Sequence, residues 1–581
     1  MSGAEIVRAR FVARRIRRPR RRGAALVLAA ALMIVAMAML AFCVDLGYII
    51  TVRSEMKRAT DAAALAGAAV LVDSQQEAEL EAFEYLVRNP VGKRLWVEDP
   101  DWEQRLAELT AQNDEKYDVE VGHWDPATRT FVVSSELPST LRITAVHDNV
   151  PLFFGRFFRP TGNVSVRTES IARYQPRDIV LVLDFSGSMT DDSELKRIVQ
   201  FGETVRSRVE TNLQQIWQEL GPPSYGSLPF TPQYLTVEGQ PASGCIPHIT
   251  VTFRSNDVYV QSTKDLSNVV LQFSDGTTQK FDGLSGTTGT FRGTGGNSNK
   301  RIDRLWVKSG CNESGEGPGY GERFEDTAAV IKQAFGLSSV PYPYASGSWD
   351  DYINYVKTNS NVRGAGYCKK YGGMTLINYW LEKKPAASQT ADLWKVSAQP
   401  IGSVKEASVL FLDYLREVDI EDRVAFVIYN SSSQTAKLEH PLTLDLDAVQ
   451  STIQHRQAAH YDPYTNIGAG IEYARRELET NARMGSFKMI VLMTDGMANR
   501  PSPDPVGKVR SETALVAAHR WPILTISLGD EADAALMQEV ADTTCGAHFN
   551  IPGGGTVNDY TNQLRAVFRQ IADHRPLVLV K

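Results

Sequence analysis

The stretch Ile179-Val180-Leu181-Val182-Leu183-Asp184-Phe185-Ser186-Gly187-Ser188-Met189 decides the fold. Five apolar residues in a row, two of them Val and one Ile, read as a strand buried on both faces, and such strands belong to parallel sheets. The run stops at a carboxylate, and two hydroxyls follow at two-residue intervals. Past a strand end this spacing turns oxygen donors toward one point, and oxygen donors suit hard divalent cations. Asp and Ser also populate ordinary turns, so the string alone is compatible with a plain turn.

Two later segments add donors in a consistent chain order. Thr465-Asn466-Ile467-Gly468-Ala469-Gly470 opens an apolar-periodic helix, and Met489-Ile490-Val491-Leu492-Met493-Thr494-Asp495-Gly496 is a second buried strand that stops at a carboxylate. With all three segments in view, the region resembles a von Willebrand factor A (vWA) domain. The metal-ion-dependent adhesion site of that family is assembled from DxSxS, a Thr and an Asp in this order. The resemblance implies Ser186, Ser188 and Thr465 as direct hydroxyl ligands of one Mg2+ or Mn2+ ion, with Asp184 and Asp495 bonding directly or through water. Three hydroxyls and one or two carboxylates leave the ion with residual positive charge and an open position, which an Asp or Glu side chain of a protein partner can fill. A hydrolytic centre needs a general base beside the motif. His455 and His460 precede Thr465 and read as surface or loop histidines, so a binding protein rather than an enzyme is expected, with a metal-dependent hydrolase as the lesser alternative.

At the other end of the chain, nine arginines between Arg8 and Arg22 precede an almost purely apolar run from Gly23 to Val44. About 20 such residues span a bilayer as a helix, and the arginines predict a cytoplasmic N-terminus with the bulk of the chain beyond the cytoplasmic membrane. A cleaved signal peptide is the competing reading, kept open by small residues around Ala41. The order RRG, then Val44-Asp45-Leu46-Gly47-Tyr48, then Asp61-Ala62-Ala63-Ala64-Leu65-Ala66-Gly67-Ala68 resembles the N-terminal region of TadG-like proteins of the Tad (tight adherence, Flp) pilus-assembly family. The resemblance implies pilus components as partners. Its alanines permit close helix approach, as in pilin-like assemblies, or serve only as good helix formers. Pilin-type subunits carry a Glu five residues after the processing glycine; Val27 or Leu28 stands there. A structural subunit that assembles through its N-terminal helix after processing at Gly23 is the alternative function.

The formal net charge is −6. Residues 1–22 hold nine Arg and one Glu, a charge of +8, so the remainder carries −14 and does not suit nucleic acid. Cys43 lies in the span, leaving Cys245, Cys311, Cys368 and Cys545, an even number in an oxidising compartment. Cys245 with Cys311 is the favoured pair because the two bracket one β-rich block.

The expected fold class is α/β, a doubly wound vWA (Rossmann-like) sheet carrying a large β-rich insertion, preceded by a transmembrane helix and a small α+β region. The expected boundaries are 1–22 for a basic tail, 23–44 for the span and 45–175 for the TadG-like region. The vWA domain takes 176–191 and 400–581, around an insertion at 192–399. Val404 to Val418 reads as the family's first helix, displaced by about 200 inserted residues; a rival reading gives that role to a helix near Leu195 to Leu220. Within the insertion, short alternating strands from about 245 to 312 suggest a small antiparallel β-sandwich. Its Asp275-Gly276 and Asp282-Gly283 loops suit turns, with Ca2+ binding as the alternative. The aromatic-rich stretch from Tyr342 to Trp380 reads as internal packing, or else as a sugar- or peptide-binding face.

Overall fold

The computed structural model describes residues 22–71, 74–89, 91, 117–125, 128–136, 138–157, 163–222, 228–312, 314–386, 389–418, 421–430, 436–552, 557–573 and 575–581. The basic tail up to Arg21 lies outside the described residues. Two compact units form, Met1–Tyr174 with Pro576–Lys581, and Gln175–Arg575.

In the first unit, α1 (Arg22–Val70) is one helix of 49 residues. At 1.5 Å per residue it is about 70 Å long, more than twice the apolar thickness of a bilayer. Its first half is long and apolar enough to cross a membrane and is exposed. Its second half turns inward: Ala59, Ala63, Ala64 and Ala68 are buried against Ala78 and Ala82 of α2 (Gln75–Arg88) and against Leu141 and Ile143 of the sheet. A Cβ on Gly67 would lie 2.7 Å from the Ala78 carbonyl oxygen, so the two helices touch through backbone. The alanine stripe is thus consumed by packing within this chain. The antiparallel sheet contains β1 (Tyr117–Asp125), β2 (Thr130–Val133), β3 (Thr140–Pro151) and β4 (Asn163–Tyr174), in the order β2-β1-β3-β4. Its fifth strand is Leu577–Leu579, paired antiparallel with β4 through Leu577 and Tyr174. This corrects the expectation that the vWA domain runs to residue 581, because the last residues complete the first unit's sheet.

The second unit is built on β5 (Arg177–Leu183), β6 (Arg423–Ile428), β7 (Lys437–Thr443), β8 (Phe487–Thr494), β9 (Ile523–Leu528) and β10 (His548–Ile551). Their order is β7-β6-β5-β8-β9-β10, parallel throughout except for the antiparallel edge strand β7. Every residue of β5 is buried, as a central parallel strand requires. Ile179, Leu181 and Leu183 join one core with Phe411, Leu412 and Leu415 of α3 (Ile401–Val418). Val180 and Val182 join the other, with Ile467, Ile471 and Ala474 of α4 (Ile467–Asn481). Alternate side chains of one strand therefore hold helices on both faces. α5 (Val557–Asp573) packs on α3, where the Phe411 and Phe568 rings meet at 5.7 Å.

The insertion leaves after the Ser186–Ser188 loop. Its first long helix, Glu203–Glu219, packs on the insertion helix Gly373–Lys383, with Trp217 stacked 6.2 Å from Trp380. Since α3 is the helix that covers β5, the helix near Leu195 to Leu220 belongs to the insertion. Two antiparallel sheets follow. One orders Thr278–Asp282, Leu266–Phe273, Ile302–Ser309 and Glu322–Glu325; the other orders Thr288–Arg292, Asp257–Ser262, Ile249–Phe253, Gln233–Glu238 and Lys370–Tyr371. The β-rich block thus extends from Gln233 to Tyr371, beyond the expected 245–312, because its outermost strands come from flanking segments. Cys245 and Cys311 are disulfide-bonded with Cα atoms 5.5 Å apart. Trp349, Tyr352, Tyr355, Tyr371, Tyr379 and Trp380 are buried, so this stretch forms a packed core.

Charge burial at the start of β5 fixes the strand in place. Arg177 is fully buried; its Nε and Nη2 donate to Asp422 Oδ2 at 3.0 and 2.7 Å, and its Nη1 donates to the Ile571 and Ala572 carbonyls. Asp422→Ala would strand the guanidinium and is expected to cost about 3–5 kcal/mol, measurable by denaturant unfolding of the full chain. Lys405, buried on α3, donates to Gln457 Oε1 at 2.8 Å, and burial lowers its pKa to about 7. Between pH 7 and the ordinary lysine value near 10.4, the unfolded chain holds a proton that the folded one lacks. This group's contribution to stability therefore rises with pH across that window and is least favourable below pH 7. Lys405→Met is expected to raise stability by about 2 kcal/mol at pH 6 and to flatten the rise between pH 7 and 9.

Candidate metal centre

β5 and β8 run side by side and parallel, with Val182 opposite Leu492, so the loops that follow them leave the same carboxyl edge of the sheet. In open α/β sheets this edge is where ligands bind. Asp184 and Ser186 are fully buried there, with Asp495 and Thr465 nearly so. The backbone N–H of Ser186 donates to Asp184 Oδ1 at 2.8 Å. The Ser186 and Ser188 hydroxyls are 3.0 Å apart, and Ser188 Oγ donates to Asp495 Oδ1 at 2.7 Å. A Cβ on Gly496 would lie 3.7 Å from Ser188 Oγ and 3.9 Å from Thr465 Oγ1. The third hydroxyl therefore reaches the same place, and glycine keeps that place open.

Thr465 is fixed from two sides. Its N–H donates to Asn499 Oδ1 at 3.0 Å, and its carbonyl accepts from the Asn499 N–H at 2.9 Å. The next residue, Asn466, caps α4 through the Ala469 N–H and donates its own N–H to the Tyr429 carbonyl. α4 approaches the sheet closely at Gly470, where a Cβ would lie 2.7 Å from Val182 Cγ1 and 2.9 Å from Tyr429 Cδ1.

The electrostatics follow from burial. Burial pushes the Asp184 carboxyl up, against hydrogen bonds from Ser186 and Thr494 that lower it. Burial, and then the Asp184 charge, push Asp495 well above the ordinary carboxylate range. Neither aspartate forms an ion pair among the described residues, and the direct donors to them are hydroxyls and a backbone N–H. An all-oxygen donor set with two buried carboxylates fits a hard divalent ion. Among the described residues no group of three or more His, Cys, Asp or Glu is placed to hold a metal; the hydroxyls are what distinguish this cluster.

Some contributors were not read from the sequence. Thr494 Oγ1 donates to Asp184 Oδ2 at 2.9 Å and ties the two strand ends together, the Tyr429 hydroxyl donates to the Met493 carbonyl beside it, and Asn499 positions Thr465. The only sequence signal for Thr494 is a polar residue closing an apolar run. His455 is bonded to the Ser451 carbonyl and stacked on Trp394 at 3.9 Å, and His460 packs edge-on to Tyr461. Among the described hydrogen bonds, neither histidine reaches the five oxygen donors. In the insertion, Asp275 pairs with Lys300 and Asp282 with Lys280.

The comparisons agree with this architecture. Residues 394–563 match the family described as von Willebrand factor type A domain. Residues 58–172 match a putative Tad-like Flp pilus-assembly family, and residues 23–70 a putative Flp pilus-assembly TadE/G-like family. Thr465 and Asp495 fall inside the first match and Asp184 to Ser188 outside it, cut off by the insertion. No curated protein matches. Similar solved structures include a von Willebrand factor type A protein from Catenulispora acidiphila, at 17% identity over 30% of this chain and 37% of that one, with a TM-score of 0.25. BatB from Bacteroides thetaiotaomicron is similar at 15% identity over 30% of this chain and 88% of that one, with a TM-score of 0.24. A mussel byssus proximal thread matrix protein with a zinc-occupied adhesion-site motif matches at 17% identity over 29% and 43%, with a TM-score of 0.22. The chain thus carries a vWA domain behind a Tad-like N-terminal region.

Two buried carboxylates held together without a cation repel. In EDTA at pH 7, Asp495→Asn is expected to raise the thermal midpoint of the full chain, by about 1 kcal/mol of stability, since the asparagine oxygen still accepts from Ser188.

Proposed function

We propose that the vWA domain holds one Mg2+ or Mn2+ ion through Ser186, Ser188 and Thr465, with Asp184 and Asp495 bonding it directly or through water. The ion then takes an Asp or Glu carboxylate from a protein partner. The observation that carries this reading is the convergence of three hydroxyls and two buried carboxylates, without a direct ion pair among the described residues, on one edge of the sheet. The bound ion would supply positive charge where no cationic side chain is in direct contact with either aspartate, Arg197 acting on Asp495 only from a distance. α1 anchors the protein in the cytoplasmic membrane as a single pass, with the basic tail inside and the vWA domain outside. The Tad-like matches support a place in pilus assembly or surface attachment, with Tad-type pilus components as partners, and the chemistry is binding rather than catalysis.

The test is thermal unfolding of the detergent-solubilised full chain in EDTA and with Mg2+, Mn2+ or Ca2+. At a hundred times its dissociation constant, the ion is expected to stabilise the parent by about 2.7 kcal/mol. Asp184→Ala is expected to lose this response. A parent whose midpoint ignores every cation would sink the proposal.

A further inference from the structure

Asp45 stands directly after the exposed apolar run of α1 and is itself buried. Its carboxylate accepts from three successive backbone N–H groups of the turn after β3. Phe153 donates to Oδ1 at 2.7 Å, Phe154 to both oxygens at 3.1 Å, and Gly155 to Oδ2 at 2.5 Å. A Cβ on Gly155 would lie 3.2 Å from Asp45 Oδ2 and 2.7 Å from Leu152 Cδ1, so the turn closes tightly over the carboxylate at this glycine. Tyr48, further along α1, meets the Phe153 ring edge-on at 5.1 Å.

This bonding pins two phenylalanines at the level where the apolar half of the helix ends, yet leaves them half in the open. Phe153 is 50% and Phe154 43% exposed. On α1 itself Leu46 and Ile50, one turn apart on the same face, are also exposed. Exposed apolar surface therefore continues past Asp45 for about 7 Å of helix rise. That matches the depth to which apolar side chains enter the headgroup and acyl boundary, where aromatic rings concentrate.

We propose that the Phe153-Phe154 turn is a second membrane contact, with both rings inserted in the interfacial layer of the leaflet where α1 emerges. The occupant is a lipid surface, because the turn is continuous with the apolar half of α1 and held to its end. This rests on reading α1 as a membrane span. It also accounts for an acid at this depth. A buried carboxylate is tolerated where backbone N–H groups satisfy its oxygens, and here those donors belong to the inserted turn. The turn fixes the direction in which the first unit's sheet leaves the bilayer, which a lone helix would leave free to swivel.

The test uses the full chain with Cys43→Ser and Cys545→Ser, reconstituted in phosphatidylethanolamine and phosphatidylglycerol vesicles. A nitroxide is attached at Phe153→Cys, at Leu40→Cys within the apolar run, or at Thr130→Cys on exposed β2. The readout is the ratio of oxygen to nickel-chelate collision rates, which rises with depth in lipid. The expected ratio at position 153 is at least threefold above that at 130 and below that at 40. Adding Asp45→Ala is expected to lower it toward the value at 130. A ratio at 153 equal to that at 130, with position 40 in lipid, would overturn the proposal while leaving the span intact. Exclusion of both reagents at 153 would mean a protein contact and would also overturn it. Position 40 reading as water would remove the span, and this inference with it.

Discussion

The carboxyl end of β5 is where two carboxylates are buried side by side without a direct ion pair among the described residues, and the loops of the second unit converge on it. At the amino end the accounts are settled within the chain. Arg177 is enclosed by Asp422 and two helix-end carbonyls. Asp178, although burial pushes it up, is held down to about 2 by Arg423, Ser486 and Arg483. At the carboxyl end Asp184 and Asp495 have hydroxyl and amide donors only, and burial drives both upward. The same strand thus has an end whose charges are paired and an end whose carboxylates are held by hydrogen bonds alone. Gly496, Gly470 and the Asn466 cap bring the third hydroxyl to that end without filling it.

A large insertion beside such an edge would disturb it if its ends were loose. They are joined at Ser193, whose hydroxyl oxygen accepts from the Gln399 N–H and from the Asn212 side chain, both at 2.7 Å. The chain leaves the sheet and returns to it through one buried hydroxyl, so β5 and α3 meet as they would across a short loop. Insertions tethered at close ends cost little in loop entropy, which grows only logarithmically with length. On the metal-loop side, Asp191 is buried beside Lys196, and burial raises its pKa; its charge adds to that felt by Asp495. The insertion itself, which begins at residue 192, contributes to the field at the candidate centre through Arg197, whose charge acts against the rise at Asp495.

What was legible in the sequence follows from how locally each feature is encoded. β5 and β8 are uninterrupted apolar runs ending in Asp184 and in Thr494-Asp495, so strand, burial and candidate donors could be read from neighbouring residues. The displaced helix α3 was legible because its apolar period leads directly into β6. The pairing of Leu577–Leu579 with β4 was not, since it joins residues about 400 positions apart and nothing in three apolar residues names a partner. The edge strand Glu322–Glu325 and the strand Gln233–Glu238 beside the short edge pair Lys370–Tyr371 were missed for a related reason: both are short and half exposed, and their alternation is weak. The roles of Thr494 and Asn499 depend on which loops meet in space, which motif spacing does not state.

Buried carboxylates among the described residues are satisfied in different ways, and three of them bear on the candidate ligand set. Asp178 and Asp422 use guanidinium groups, which supply both hydrogen bonds and full charge. Asp45 uses successive backbone N–H groups, which supply bonds and a partial dipole. Asp184 and Asp495 share hydroxyls and one N–H, which supply bonds but no net charge, and each lies in the field of the other. Hydrogen bonding alone does not cancel two adjacent buried charges in a low-dielectric site. The deficit is electrostatic rather than one of unmet hydrogen bonds, and it is on this deficit that the proposal of a hard divalent cation at the site rests.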